Sequence, residues 1–437
     1  MIVLSHFRRP APASLDNHRH YARRLGYRHD YNDATAVTDR RPLCLLYKYE
    51  WLLHTLRRAQ EGESVLLLSE DAAIVRVIPL ERMVGDRDWL LARTSSHALP
   101  QVDVQIWRNT PAGRAIVEAV VRRCRLGGEP VDSEAALFEG LQTVHYQNLI
   151  DGVCPVMGAG YNYDPVWSRV PTFAISIDDA PEMPSNKGVT PRFREILVAH
   201  VNGHLASGLP LFDFPVYEAP DGAERSTYGP VGSRIALVTL YTSNIGSYGR
   251  IAERNFRRYC DAHGYALYVH RDIPKEVGLE GSGNWFKPWL LYAYLQHHEW
   301  VFWIDADVLI ADLDQPLERL LDNRDWLLAR DVGQWAFNSG VMGFRCTERN
   351  DAMLRDLMTD IASVVDRSSV YASNGDQMYF IEAMNRAGLL DDAPVLDATV
   401  FNTPWTLRRP DSFIVHYYGM WTEMRALMMA HDDVRLD

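Results

Sequence analysis

An internal repeat constrains the fold of this chain more than any other feature of its sequence. Residues 79–93 (PLERMVGDRDWLLAR) and 316–330 (PLERLLDNRDWLLAR) are identical at 11 of 15 positions. Three further pairs of segments follow in the same order at a nearly constant offset: NHRHYARRLGY (17–27) with NFRRYCDAHGY (255–265), KYEWLLHTL (48–56) with KPWLLYAYL (287–295), and VQIWRN (104–109) with VMGFRC (341–346). Such a repeat predicts two copies of one unit, each of roughly 200 residues, which is an ordinary domain size.

The sequence between the copies predicts where one domain ends and the next begins. PEMPSNKG (181–188) leads into a helix candidate that starts near Pro191, and the residues that follow it, 210–232, are rich in proline and glycine. We therefore predict a first domain over 1–180, a connector with one helix over 181–232, and a second domain over 233–437.

Charge and composition argue against several classes of protein. The formal net charge is -12, and nucleic-acid binding needs a concentrated positive face. Five cysteines without a CxxC pair favour free thiols in a reducing compartment over a disulfide framework or a thiolate zinc site. No apolar run is long enough to span a bilayer, and the N-terminus lacks the layout of a signal peptide. The sequence predicts a cytoplasmic protein, with peripheral contact at the inner membrane left open.

Strands and helices alternate in the second copy. A buried strand over 234–241 is followed by a helix, a strand, a second helix and a further buried strand, EWVFWI (299–304). This alternation predicts an α/β fold with a mostly parallel, Rossmann-like sheet that helices cover on both faces. Ligands of such sheets bind beyond the carboxyl ends of the strands.

Two carboxylates stand at one of these strand ends. Asp305 and Asp307 interrupt the apolar run VFWIDADVLI (301–310). Residues i and i+2 of an extended strand point to the same face, so each carboxylate would resist ionising beside the other. A divalent cation is the simplest compensation, because hard ions prefer carboxylate oxygen. The pair therefore predicts a metal site.

Five motifs in the second copy resemble those of one enzyme family. They are WFKPWLLYAYL (285–295), EWVFWIDADVLI (299–310), NSGVMGFR (338–345), NGDQ (374–377) and VHYYG (415–419). Over about 235–421 the chain resembles the GT-A glycosyltransferases, and most closely the galactosyl/xylosyl/mannosyltransferase family of yeast Golgi α-galactosyltransferases and plant xyloglucan xylosyltransferases. The resemblance implies two tandem GT-A domains and a retaining transferase that moves a hexose from a UDP-sugar to an acceptor hydroxyl.

The same resemblance implies roles for individual residues. The Asp-x-Asp pair and a late histidine would hold Mn²⁺, or Mg²⁺ in its place: Asp305, Asp307 and His416. An Asp-Gln pair, Asp376 and Gln377, would lie near the anomeric carbon. The donor and its metal would be bound by Thr239, Tyr241, Lys287, Asp305, Ala306, Asn338, Ser339, Gly340 and Gly419. Family members often carry a basic residue for the diphosphate soon after the late histidine. Trp421 stands near that place here, so Arg425 is the candidate substitute.

The first copy serves as an internal control for these assignments. When the copies are aligned, Ser69 replaces the first aspartate of the pair, Asp71 keeps the second, and Ser176 replaces His416. Gln101 aligns with Asn338, residues 134–140 align with the Asp-Gln region, and Lys48 is kept. The pattern predicts a degenerate copy that braces the catalytic one or binds acceptor. A purely structural half and a second, metal-independent site using Glu70 or Asp71 remain alternatives.

Other functions remain open on the sequence. IDADV also fits the DxD motif of a haloacid-dehalogenase-type phosphatase, although that motif closes the first strand of its domain. A non-catalytic sugar-binding protein is a further alternative. Lys287 could be an ordinary solvated helix residue, and Asp376 could cap a helix. The expected partners are a nucleotide sugar and a glycan, lipid, peptide or small-molecule acceptor, with neither nucleic acid nor a transmembrane segment.

Overall fold

The computed structural model divides the chain into two compact units, Met1–Asp213 and Phe214–Asp437. The structure describes residues 1–37, 41–92, 100–126, 134–141, 153–157, 172–178, 189–212, 224–333, 335–371, 375–391 and 394–434. Much of the predicted connector, at 181–188 and 213–223, and Asn374 of the NGDQ motif lie outside these described residues. The domain boundaries at residues 180 and 232 stay predictions.

The first unit contains two sheets and five helices within its described residues. Its strands are β1 (Ile2–Phe7), β2 (Arg28–Asp33), β3 (Ser64–Leu68), β4 (Ala72–Ile74), β5 (Trp89–Leu91), β6 (Val104–Arg108), β7 (Val153–Met157) and β8 (Ala174–Asp178). Its helices are α1 (Pro12–Leu25), α2 (Arg41–Arg58), α3 (Leu80–Val84), α4 (Pro111–Leu126) and α5 (Val189–Ser207). The sheet orders are β2-β1-β3-β6-β5 and β4-β8-β7.

Burial explains why the central strands of this unit read as continuous apolar runs. β1 and β3 are buried along their whole length because helices cover both faces of their sheet. Ile2 and Leu4 pack with α2 and α4 on one face, whereas Val3 packs with Tyr21 of α1 on the other. Helix α5, which the sequence assigned to a connector, packs along α1 of this unit.

The second unit contains nine strands and six helices within its described residues. Its strands are β9 (Arg225–Tyr228), β10 (Ile235–Leu240), β11 (Ala266–His270), β12 (Trp300–Ile304), β13 (Val308–Ile310), β14 (Trp326–Leu328), β15 (Val341–Arg345), β16 (Thr403–Pro404) and β17 (Ile414–His416). Its helices are α6 (Gly246–His263), α7 (Lys287–Leu295), α8 (Glu348–Ala362), α9 (Gly375–Arg386), α10 (Ala398–Phe401) and α11 (Thr422–Asp433).

The sheets of the second unit confirm the predicted α/β class and refine its strand directions. The large sheet has the order β14-β15-β12-β10-β11-β9, and the small one β13-β17-β16. β10 pairs in parallel with β11 and β12, whereas β9, β14 and β15 pair antiparallel with their neighbours. The sheet is therefore parallel at its centre and antiparallel on its flanks, and the carboxyl ends of β10, β11 and β12 share one edge.

The two units have the same strand order. β5-β6-β3-β1-β2 in the first corresponds to β14-β15-β12-β10-β11 in the second, and β4-β8-β7 corresponds to β13-β17-β16. Matching side chains also make matching contacts. Asn17 bonds both backbone polar groups of Ile74, and Asn255 does the same to Ile310. The second unit adds β9 at its sheet edge.

Two sequence expectations concern the environment of the chain. The four cysteines with described side chains, Cys44, Cys124, Cys260 and Cys346, are free thiols. In the described part of the chain, no helix combines the length and the apolar character that crossing a bilayer requires.

Candidate metal centre

The two carboxylates lie in the turn between β12 and β13. β12 ends at Ile304, so Asp305 and Asp307 do not share a face of an extended strand as the sequence argument assumed. Hydrogen bonds to the segments on either side hold the turn: Asp305 N donates to Gly340 O at 2.8 Å, and Tyr417 N donates to Asp307 O at 2.8 Å. The backbone of two other segments therefore fixes the positions of the acids.

His416 joins the two acids through the small sheet. β17 pairs antiparallel with β13, and Val308 lies opposite His416. Asp305, Asp307 and His416 each offer one ligand atom, and these atoms lie within 4.8 Å of one another. Two carboxylates and an imidazole form a donor set that suits a divalent cation such as manganese.

The hydrogen bonds around His416 indicate which ring nitrogen is available. Asn402 donates its amide to Asn338 Oδ1 at 2.9 Å, so its oxygen faces His416 Nδ1 at 3.1 Å. The proton must then sit on Nδ1, which leaves a lone pair on Nε2. Nε2 lies 3.1 Å from Asp307 Oδ1. A lone pair facing a carboxylate needs a second proton or a metal ion, so the site fits a cation.

Gly340 is required by the position of the imidazole. A Cβ at residue 340 would lie 2.1 Å from His416 Cε1 and 2.7 Å from Nδ1. Both atoms belong to a buried ring whose nitrogens each lie 3.1 Å from a side-chain oxygen, of Asn402 and of Asp307. The glycine of the NSG motif therefore makes space for the histidine. This contact gives Gly340 a structural role besides the donor-binding role that the sequence predicted.

Lys287 is a buried counter-charge, not a solvated helix residue. It begins α7 with 1% of its surface exposed, and its Nζ lies 3.1 Å from the Asp305 carboxylate and 3.0 Å from that of Asp376. Burial lowers the pKa of Lys287, but the two carboxylates outweigh burial and raise it, so the amine stays charged. Burial raises the pKa of Asp305 despite the attraction of Lys287.

Arg425 reaches the second carboxylate from α11. Its Nη1 lies 3.4 Å from Asp307 Oδ2 and donates to the Tyr248 hydroxyl at 2.9 Å. Burial alone would raise the pKa of Asp307, but His416 and Arg425 together lower this pKa below its usual value. Arg425 is thus at the site where the sequence suggested a substitute basic residue, whereas Trp421 is buried at the start of the helix.

Asp376 and Gln377 occupy the first turn of α9 and are tied to the NSG segment. Asp376 is 2% exposed, accepts from Asn284 at 2.8 Å and from Ser339 Oγ at 3.0 Å, and faces Lys287. Gln377 Oε1 accepts from the backbone of Ser339 at 3.0 Å. The structure therefore brings the predicted pair next to the acid cluster, but holds its oxygens in internal bonds.

The remaining predicted residues surround the same strand ends. Thr239, in β10, is buried, and its Oγ1 has no hydrogen-bond partner among the described residues. The Tyr241 hydroxyl is already engaged, since it donates to Glu253 at 2.5 Å within an ion pair with Arg271. Ala306 lies in the turn between the two acids, and Gly419 adopts a left-handed φ of 73° after β17.

The second unit also has an open cleft. It has a volume of about 690 Å³, and its lining includes Arg330, Asp331, Asp397, Thr399 and Arg409. None of the three candidate metal ligands lines it. Sequence reasoning missed this cleft and also Asn402, because neither falls in a recognisable motif.

The first unit places different residues at the corresponding positions. Ala72 lies opposite Ser176 as Val308 lies opposite His416, so Ser176 has the sheet position of the histidine. Gln101 N donates to Ala92 O as Asn338 N donates to Ala329 O. Lys48 is buried and pairs with Glu134 at 2.5 Å, as Lys287 pairs with Asp376.

Comparisons with known proteins return only distant structural likeness. No family model and no curated protein matches the sequence. A glycosyltransferase involved in glycosylation of the major capsid of PBCV-1 is similar at 16% identity and a TM-score of 0.37, over 46% of this chain and 100% of its own. The glycosyltransferase GlyE of Streptococcus pneumoniae is similar at 13% identity and a TM-score of 0.30, over 42% of this chain and 54% of its own. The galactosyltransferase LgtC is similar at 12% identity and a TM-score of 0.31, over 42% of this chain and 86% of its own. This degree of likeness is too low to assign an activity.

Proposed function

We propose that the second unit is a metal-dependent retaining glycosyltransferase that moves a hexose from a UDP-sugar to an acceptor hydroxyl. The observation that carries the proposal is the cluster of Asp305, Asp307 and His416, whose ligand atoms lie within 4.8 Å of one another. This donor set would hold Mn²⁺ or Mg²⁺ next to the diphosphate of the donor.

The proposed reaction breaks the bond between the anomeric carbon and the diphosphate oxygen and forms a bond from the same carbon to the acceptor oxygen, and the acceptor's hydroxyl proton passes to the departing diphosphate. A bound divalent ion would supply Lewis-acid stabilisation of the charge on the leaving diphosphate. Asn402 keeps the His416 lone pair directed at the site, and Lys287 keeps Asp305 compensated in a buried place. Arg425 stands beside Asp307, where its positive charge would also favour a diphosphate.

The open cleft of the second unit is the best candidate for the acceptor. It combines carboxylate and guanidinium groups with the apolar side chains of Val332 and Leu407. Trp335 follows close by in sequence with 36% of its surface exposed. Polar groups that can bond vicinal hydroxyls, together with an apolar wall, suit a carbohydrate better than a purely apolar acceptor.

The first unit is proposed to be a degenerate copy that arose by tandem duplication. The shared strand order and the matching asparagine contacts support common descent, and the 11 identities of the repeat support it in sequence. Its Glu70 is fully buried and Asp71 is ion-paired, so a second active site built on these acids fits less well than a structural or accessory role.

A nucleotide-sugar panel tests the proposed function. The melting temperature of the purified chain is measured with UDP- and GDP-sugars, with and without Mn²⁺, and slow hydrolysis of the stabilising sugar is then followed. We expect one UDP-hexose to raise the melting temperature only when Mn²⁺ is present. Asp307→Asn should abolish this response while Ser69→Ala leaves it unchanged.

The same assay separates the alternative functions. A phosphatase of the haloacid dehalogenase type would hydrolyse a phosphomonoester and ignore nucleotide sugars, and its motif would close the first strand of its domain, whereas Asp305 follows β12. A sugar-binding protein would bind without turnover. Full turnover by Asp307→Asn would refute the metal assignment.

A further inference from the structure

The first unit has no histidine where the second has His416, yet the place is not empty. Ser176 lies there, and its hydroxyl donates to Asp103. Asp103 precedes β6 as Gly340 precedes β15, so the first unit has a carboxylate beside Ser176 where the second has a glycine beside His416. Gly340 with His416 and Asp103 with Ser176 are therefore corresponding pairs, and a side chain at residue 340 would clash with His416.

Two arginines converge on the acid that the first unit retains. Arg9 Nη2 lies 2.6 Å from Asp71 Oδ2, and Arg194 Nη1 lies 2.7 Å from Asp71 Oδ1, so each carboxylate oxygen has its own guanidinium. Arg194 is 1% exposed. Arg9 also bonds Glu70 at 3.2 Å, the residue that takes the place of Ala306.

Arg194 and Arg425 come from corresponding helices. α5 packs along α1 in the first unit as α11 packs along α6 in the second, and each helix sends an arginine to the second acid of its turn. This arginine is thus common to both units. What differs is the second cation: Arg9 supplies it in the first unit, whereas the second unit offers a carboxylate and an imidazole.

Arginine side chains face the acids of the first unit. Among the described residues the carboxylates of Glu70, Asp71 and Asp103 lie with the guanidinium groups of Arg8, Arg9 and Arg194, and Arg194 also faces the half-buried Glu195 at 3.7 Å. Burial, with Asp103 and Glu70 nearby, raises the pKa of Asp71 to about 6, so this carboxylate is still charged at neutral pH and needs its partners.

We infer that Arg9 takes the place of the divalent cation in the first unit, with Arg194 in the position that Arg425 has in the second, so that the first unit is a metal-independent counterpart of the proposed metal centre. The chain would then bind one catalytic-type cation, in the second unit only. The inference rests on the geometry of the first unit and does not require the second to be a glycosyltransferase.

Removing the guanidinium groups should convert the cluster into a cation site. The test uses the full chain carrying Asp307→Asn, so that the second unit does not add its own metal response. In this background Arg9→Met and the double variant Arg9→Met/Arg194→Met are compared with Arg57→Met, which removes an exposed ion pair with Glu118 in the same unit. Melting temperatures are recorded in EDTA and in millimolar Mn²⁺ or Ca²⁺.

We expect the double variant to melt roughly 6–20 °C lower in EDTA, and the divalent cation to restore about half of this loss. The Asp307→Asn parent and the Arg57→Met control should not respond to the cation. A parent that binds Mn²⁺ in the first unit, or arginine variants that lose stability without cation rescue, would overturn the inference. If the double variant does not fold, Arg9→Met alone, on the more exposed arginine, and direct Mn²⁺ titration of the parent decide the question.

Discussion

Replacing Lys287 by methionine tests the electrostatic argument for the second unit most directly. Methionine keeps most of the apolar stem and removes the charge, so the carboxylates of Asp305 and Asp376, at 3.1 and 3.0 Å from Nζ, lose their shared counter-ion. Ser339 O loses a donor at 3.0 Å as well. Breaking a buried ion pair from one side costs about 3–5 kcal/mol, because the remaining charge stays buried without compensation.

For a unit of this size, about 1 kcal/mol moves the melting temperature by about 2–4 °C. We therefore expect Lys287→Met to lower it by roughly 6–20 °C in EDTA, measured by calorimetry on the full chain. Lys275→Met is the matched control, since it removes an exposed pair with Glu224 in the same unit and should change the melting temperature by less than about 2 °C.

A double-mutant cycle shows whether Lys287→Met loses stability because the carboxylates of Asp305 and Asp376 are left without a counter-ion. Adding Asp376→Asn to Lys287→Met removes one of the two uncompensated charges, so the double variant should lose less stability than the sum of the two single variants. Mn²⁺ should stabilise Lys287→Met more than the parent, because it would compensate Asp305. Two results would refute the view that Lys287 compensates both Asp305 and Asp376. One is strict additivity of the two substitutions, and the other is a stability loss for Lys287→Met no larger than that for Lys275→Met.

Two further predictions use other parts of the chain. Gly340→Ala places a Cβ 2.1 Å from His416 Cε1, so we expect it to displace the imidazole and weaken Mn²⁺ binding at least tenfold by titration; Gly203→Ala, at an open helical position, is the control, and equal affinities would contradict the geometry. Burial lowers the pKa of His18, which contacts Ser5 and lies near His29, to about 3, against about 6.5 in the unfolded chain. The neutral folded form is fully stabilised above pH 6.5 and loses up to ~1.4 kcal/mol per pH unit as the pH falls from there toward 3. His18→Gln should flatten this part of the melting curve against pH, and a curve parallel to that of the parent would show that His18 does not cause the loss.

The repeat and the alternation of elements carried most of the information on the fold. The α/β class and the end of β12 before Asp305 follow from apolar runs, because the burial of central strands is recorded directly in composition. The antiparallel flanks β14 and β15 could not be predicted in this way, since strand direction depends on connections between distant segments. The sequence also treated α5 as part of a connector, and only its contacts with α1 show where it packs.

The sequence predicted the site residues that lie in recognisable motifs. It did not predict the residues outside these motifs that hold the motif residues in place. Asp305, Asp307 and His416 were named from their motifs, and the structure brings them together. Asn402 and Tyr248 were missed because an asparagine after a short helix and a tyrosine in the first turn of a helix are common, and their roles arise only from hydrogen bonds to His416 and Arg425. Such contacts between distant residues leave no periodic pattern in a single sequence.

The burial of Asp376 leads to a prediction about its role. One of its oxygens accepts from Asn284 and the other from Ser339 and Lys287, with 2% of the residue exposed. A carboxylate held in this way would position the NSG segment and the lysine, and a sugar could reach it only after these bonds break. A positioning role predicts that Asp376→Asn lowers the melting temperature and raises KM for the donor more than it lowers kcat, because the donor pocket loosens while the chemistry is retained.

A direct role of Asp376 at the anomeric carbon predicts the opposite result, a large loss in kcat with little change in KM. Asp376→Asn would then keep its melting temperature and its KM and would lose at least about 100-fold in kcat. The double variant Lys287→Met/Asp376→Leu distinguishes the two roles further, since replacing both members of a buried pair often restores stability. It is measured in saturating Mn²⁺, because Asp305 also loses its lysine. If this variant folds as well as the parent and keeps more than about a tenth of its kcat, Asp376 acts through Lys287 and Ser339. If it folds equally well and is inactive, the carboxylate itself meets the substrate, and the positioning account is wrong.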